Sequence, residues 1–206
     1  MQTIDSIFYI AILVMSIVIH EVSHGFMAEF FGDKTARYAG RLTLNPIKHL
    51  DLFGSILLPA LLLFTHAPFL FGWAKPVPYN PENLSDKKWG TVWVAAAGVI
   101  SNIFLALIFG IIIRISSGFS IPDGFYVITS TIVIVNIALA LFNLIPIPPL
   151  DGSKILFSLL PYSFNDVVTF LEQYSFILLI IFIVFFSNSL YPLLVFLFHL
   201  FTGLSL

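Results

Sequence analysis

The chain has 206 residues, of which 59% are hydrophobic and only 10% charged, against roughly 45–50% and 25% in ordinary soluble domains. Nine basic and eleven acidic side chains cannot keep a chain with 23 Phe residues and a mean hydropathy of +1.02 in water, which excludes a soluble globule and implies an integral membrane protein. The net charge of −2 excludes a basic nucleic-acid binder, and the lack of cysteine excludes disulfides, thiolate metal sites and a Cys nucleophile.

A helix needs about 20 apolar residues to cross a bilayer. Five stretches approach that length: Ile7–Phe31, Leu52–Trp73, Thr91–Ile113, Phe125–Ile145 and Phe176–Leu200. The first leads into His20-Glu21 without a basic leader or a small-residue cleavage site, so it reads as a retained helix. Basic residues cluster in two connections. One holds Lys34, Arg37, Arg41 and Lys48, the other Lys75, Lys87 and Lys88, and cytoplasmic loops are where Lys and Arg are retained. Only the 52–73 stretch lies between them, long enough for one crossing and not for two. We therefore expect it to enter the membrane and return, bent near Pro59 or His66-Ala67-Pro68. Tyr38–Asn45 shows partial alternation that suits a short strand or hairpin, and Asn165–Gln173 reads as an amphipathic surface helix. Trp73, Trp89 and Trp93 flank membrane ends as interfacial anchors, and His49-Leu-Asp51 reads as a solvated loop face. The expected fold is an all-α integral membrane protein with four to five transmembrane helices, a re-entrant segment and a possible short β-hairpin. Residues 1–206 form one membrane-embedded domain, with a core over about 7–160 and a C-terminal helix over about 174–200.

The chemistry sits inside the apolar segments. The first contains His20-Glu21-Val22-Ser23-His24, an H-E-x-x-H of which about 0.002 copies are expected by chance at this chain's His and Glu frequencies. Helical residues four apart differ by about 6 Å in rise and 40° in azimuth, so both imidazoles can close on one ion while Glu21 reaches beside it. Two His and a Glu in an apolar span are costly unless they have a task. A catalytic zinc usually takes three protein ligands, and His49, His66, His199, Asp51 and Asp151 are candidates for the third. Asp151 stands out because the run from Asn143 to Gly152 closes an apolar helix with three prolines, freeing carbonyls at membrane depth. A plainer role for Asp151, capping a helix that begins near Ser153, is compatible with this.

H-E-x-x-H in a first hydrophobic helix, followed by Asn143, Pro146, Leu150, Asp151 and Gly152 in the pattern N-x-x-P-x-x-x-L-D-G, resembles the site-2 protease family of intramembrane zinc metalloproteases, in a small form without an appended soluble domain. Gly98-Val-Ile-Ser-Asn102 is similar to the family's third signature, with Val99 where many members have Pro. The resemblance implies one Zn2+ per chain held by His20, His24 and Asp151, with Glu21 as catalytic base. It also implies that Asn143, Asn102 and Gly98 belong to the substrate-binding or oxyanion region. The implied partners are a membrane-protein substrate and the lipid bilayer. The expected host is a prokaryotic plasma membrane, with the site toward the cytoplasm. A metal-ion transporter or a catalytically inactive scaffold would use the same residues differently.

Overall fold

In a lipid interior every backbone N–H and C=O must be satisfied within the chain, so long apolar segments become helices even when rich in β-branched residues. The computed structural model describes residues 2–65, 72–116 and 118–206, and among these the regular structure is entirely helical. α1 spans Gln2–Phe30, and a short α2 covers Thr35–Tyr38. A π-turn over Leu52–Leu57 runs into α3, Leu58–Phe64. α4 covers Lys87–Ser116, α5 Asp123–Asn143, α6 Asp151–Leu159 and α7 Asn165–Gln173. α8, Ser175–Ile181, continues through a π-turn and a 3-10 turn into α9, Tyr191–Thr202. Four helical stretches are long and apolar enough to cross a bilayer: Ile7–Phe30, Lys87–Ser116, Asp123–Asn143 and Ser175–Thr202. The last is an interrupted helix, not the continuous one expected.

α4 is the central element because its buried stripe is small. Gly90, Val94, Gly98, Asn102, Ala106 and Gly110 recur every four residues and are buried. Small residues let helix backbones approach closely where lipid supplies no hydrophobic drive between helices. α1 packs antiparallel to α4, with Ala28 beside Leu84 and Val94 at one end. α5 returns antiparallel on the next face, where Ala106, Ile113, Val133, Ile137 and Leu141 form one cluster with Phe198 of α9. α9 closes on α4 at Gly110, where an added Cβ would lie 2.8 Å from Phe201 Cβ. At that end the Arg114 guanidinium donates to the Phe201 and Leu200 carbonyls at 2.9 and 2.6 Å. It thereby caps the last turn of α9, which Gly203 ends in the left-handed conformation at φ 78°.

The described ends of the 52–73 stretch are hydrogen-bonded to each other. The Trp73 N–H donates to the Gly54 carbonyl at 3.2 Å and the Lys75 N–H to the His49 carbonyl at 2.8 Å, while Ser55 Oγ donates to the Trp73 carbonyl at 2.8 Å. The entry and exit of the stretch are therefore side by side. Both basic connections thus lie at the end of the bundle where α1 finishes and α4 starts, as the charge pattern requires. His66 lies outside the described residues. The hairpin expected at 38–45 is not formed: Tyr38 ends α2, Gly40 turns the chain, and Asn45 caps a 3-10 turn at Pro46–His49. The alternation there marks no sheet face, since Tyr38 and Leu44 are exposed and Arg41 is buried. His49 is likewise buried, not solvated, and its Nε2–H donates to the Thr43 carbonyl at 2.8 Å. α7 matches the expected surface helix and has no buried residue.

Candidate active site

The H-E-x-x-H turn of α1 faces α4 at the level of Gly98. A Cβ there would lie 2.5 Å from His20 Cε1 and 2.6 Å from His24 Nε2, so only glycine leaves room for the two imidazoles. The rings stand edge to face with centroids 4.7 Å apart. His20 Nδ1 is 2.6 Å from Asn102 Oδ1, and His24 Nδ1 is 2.6 Å from the Val94 carbonyl oxygen. Both oxygens only accept, so both Nδ1 atoms carry the proton and both Nε2 atoms present lone pairs.

Those two lone pairs converge on one carboxylate oxygen. Asp151 Oδ2 is 3.1 Å from His20 Nε2 and 3.1 Å from His24 Nε2. Its placement follows from the proline-rich link. The chain leaves α5 at Asn143, folds through Ile145–Leu150 and restarts as α6 at Asp151. Gly152 is pressed so closely on the end of α5 that a Cβ would sit 2.2 Å from the Leu144 carbonyl oxygen. This accounts for the glycine after the aspartate. Asp151 does not cap a later helix; it is the first residue of α6, where the partial positive end of the helix favours a carboxylate. Lys154 Nζ holds its other oxygen, Oδ1, at 3.2 Å.

Two imidazole nitrogens and a carboxylate oxygen this close, with no proton left to share between them, repel unless a cation lies among them. Nitrogen and oxygen donors about 2.0–2.1 Å from a tetrahedral zinc are about 3.3 Å apart, close to the 3.1 Å observed. The donor set therefore fits a zinc-type ion. Glu21 also brings a carboxylate oxygen within 4.8 Å of the imidazole nitrogens. However, the Val77 N–H donates to its Oε2 at 2.9 Å, which holds it to the side while Asp151 faces both rings directly.

These groups line a cavity of about 480 Å3 walled by Trp73, Pro76, Val77, Tyr79, Asn143, Lys154 and Phe176, with His20, Glu21, His24 and Asp151 on its floor. Asn143 thus reaches the cavity, its Nδ2 donating to the Leu139 carbonyl at 3.0 Å. Asn102 and Gly98 are not among the residues that line this cavity. Asn102 is fully buried behind His20, and Gly98 serves as clearance for the rings. His49 and Asp51 are engaged in loop structure, Asp51 accepting from the Gly54 N–H at 2.7 Å. His199 lies at the far end of the bundle beside the Leu204 carbonyl.

Several participants carry no signal in the sequence. The Val94 carbonyl is a backbone group that any residue could supply, and the Val77 N–H one that any residue but proline could. Asn136 is one of several polar residues in its span; it accepts from Asn102 Nδ2 at 2.8 Å and donates to Ser16 Oγ at 3.0 Å. Asp33 organises the edge of the site. It accepts from Asn83 Nδ2 at 2.9 Å and from the Thr35 and Asn80 N–H groups at 3.1 and 2.6 Å. Burial works to raise its pKa, but hydrogen bonds from Asn83, Thr35 and Asn80 outweigh that and hold the carboxyl below its usual range.

The chain matches the model of "Peptidase family M50" over residues 8–131 and 110–186. It is 38% identical over 175 residues to "Putative zinc metalloprotease YwhC" of Bacillus subtilis (strain 168), covering 82% of this chain and 76% of that one. It is 29% identical over 148 residues to "Putative zinc metalloprotease Rip2" of Mycolicibacterium smegmatis (strain ATCC 700084 / mc(2)155), covering 71% of this chain and 54% of that one. No solved structure matches the chain. With most of its length inside the family's boundaries, the chain belongs to peptidase family M50, the site-2 protease family of metalloproteases.

Proposed function

We propose that this protein is a zinc-dependent intramembrane endopeptidase that hydrolyses peptide bonds within or near transmembrane segments of membrane proteins. The observation that carries the reading is the convergence of His20 Nε2, His24 Nε2 and Asp151 Oδ2, with the Glu21 carboxylate beside them in one cavity. His20, His24 and Asp151 hold one zinc ion per chain. Zinc in such a site acidifies water to a pKa of about 7 and polarises a peptide carbonyl.

The chain's own groups do the rest. The Asn102 and Val94 oxygens keep both imidazoles in the tautomer that offers Nε2. The Val77 N–H fixes one Glu21 oxygen, so the carboxylate can take a proton from water and return it to the leaving amine. Asn143, on the cavity wall, donates toward the substrate backbone or the developing oxyanion. Residues 74–80 run without helix along the cavity, and Arg41 Nη2 grips the Lys75 carbonyl at 2.7 Å. A substrate segment unwound to an extended strand can lie against that stretch, since a regular helix hides its amides in its own hydrogen bonds. The site faces the cytoplasm of a prokaryotic plasma membrane. Its end of the bundle carries every Lys and Arg except Arg114, and the polar loops there admit water.

The test is Glu21→Gln in full-length protein reconstituted with tagged single-span model substrates. Cleavage is expected to fall at least about 100-fold, within the usual range for losing a general base, while metal analysis still finds about one zinc per chain. Cleavage that persists in Glu21→Gln, or wild-type protein without zinc, would overturn the assignment. Metal transport or scaffolding would survive this substitution.

A further inference from the structure

Behind His20, on the face away from the cavity, polar side chains from three helices form a continuous buried chain. His20 Nδ1–H donates to Asn102 Oδ1 at 2.6 Å, and Asn102 Nδ2 donates to Asn136 Oδ1 at 2.8 Å, with only a longer contact of 3.5 Å to the Ser16 carbonyl. Asn136 Nδ2 in turn donates to the Ile132 carbonyl at 2.9 Å and to Ser16 Oγ at 3.0 Å. Asn102 and Asn136 are wholly buried, and Ser16 nearly so. Ser16, Asn102 and Asn136 are too uniform in direction to be incidental polar packing.

The direction has one fixed end. A backbone carbonyl only accepts, so the Ile132 oxygen requires the NH2 side of the Asn136 amide. With both Nδ2 hydrogens used there and at Ser16, Asn136 Oδ1 must face Asn102. Asn102 must then offer its NH2 to Asn136 and its oxygen to His20, and a facing oxygen forces the proton onto His20 Nδ1. Were Asn102 turned over, its NH2 would face Nδ1, the ring proton would move to Nε2, and the lone pair aimed at Asp151 Oδ2 would be lost. We infer that Asn136 is a positioning residue: acting through Asn102, it selects the tautomer in which His20 can ligate a metal. Asn136 lies in α5, seven positions before Asn143, and touches no group in the cavity. His24 is independent of it, since its tautomer is set by the Val94 carbonyl. The inference rests on the peptidase reading only in giving His20 a ligand's task.

The test compares wild type, Asn136→Leu and, as a packing control on the same helix, Thr129→Val, each as full-length protein in micelles. Two measurements are made: zinc affinity by competition with a chelator, and the ring-nitrogen NMR signature of 15N-labelled histidines in metal-free protein. Partners behind a metal-ligating histidine change affinity by about 10–100-fold. Asn136→Leu is expected to weaken zinc binding by about 10-fold and to erase the single Nδ1–H signature of His20, with His24 unchanged. Thr129→Val should alter neither. Affinity within twofold of wild type, or an unaltered His20 signature, would overturn the inference. So would equal disturbance of His20 and His24, which marks general loosening of the bundle. The metal-free NMR reading stands apart from catalysis, so a failed peptidase assignment and a failed positioning role give different results.

Discussion

Gly98 shows how little space the site leaves. Its missing side chain lies within 2.6 Å of both imidazoles' reach, and the rings cannot retreat because each is tied through Nδ1 to α4. Gly98→Ala should displace both Nε2 atoms. We expect zinc affinity to fall at least about 10-fold, read by chelator competition. Helicity should be retained, because alanine favours a helix over glycine by about 1 kcal/mol. An alanine variant that binds zinc like wild type would show that α4 can shift to make room. At this scale the sequence is informative where a side chain carries the chemistry. The His pair, Glu21 and Asp151 are legible because ionisable groups in an apolar span are expensive. Asn102 is legible as a polar residue but not in its role, since spacing along α4 does not reveal which neighbour its amide faces. Val77 and Val94 are invisible because they act through the backbone.

Residues 74–80 reach the site by being tied down and have no helix of their own. Asp33 is the knot, joining the end of α1 to residues 80–83 through a buried carboxylate that receives several donors. Asp33→Asn puts an NH2 where donors already point, and leaving buried donors unsatisfied costs about 1–3 kcal/mol. The pH dependence has a definite sign. The folded pKa of Asp33 is depressed, so its stabilisation is complete above the unfolded value near 3.8 and is lost as pH falls through the folded value. Thermal unfolding should therefore show a difference between wild type and Asp33→Asn that is constant at neutral pH and shrinks in acid. A difference that grows in acid would contradict the role given to this carboxylate. The elements themselves were partly legible. Hydropathy located the spanning helices within a few residues, because bilayer thickness sets their length. The misread hairpin at 38–45 rested on alternation alone, and there Tyr38 and Leu44 turn outward while Arg41 turns in to hold the Lys75 carbonyl.

For the molecule as a whole, charge parity and length point different ways for one stretch. Residues 52–73 are long enough to cross, yet the paired hydrogen bonds at Gly54–Trp73 and His49–Lys75 bring both ends together. The basic residues had already required this. Because the chain has no cysteine, single substitutions can report sidedness directly. In sealed vesicles a membrane-impermeant thiol reagent should reach Lys34→Cys, Lys48→Cys and Lys88→Cys from one side, and Ser120→Cys and Ser205→Cys only from the other. Labelling of Lys48→Cys and Lys88→Cys from opposite sides would mean that the stretch crosses.

His20 and Asp151 meet although they stand 131 positions apart in the sequence. During synthesis, α1 is therefore inserted with its paired imidazoles long before their carboxylate leaves the ribosome, and α4 and α5 are laid down in the interval. A nascent chain of this kind holds an unfinished centre throughout the stage at which its helices are still unpacked. The donor set is complete only with the turn that follows the prolines, so the order of the polypeptide delays it until α1, α4 and α5 have been made, while α8 and α9 are still to come.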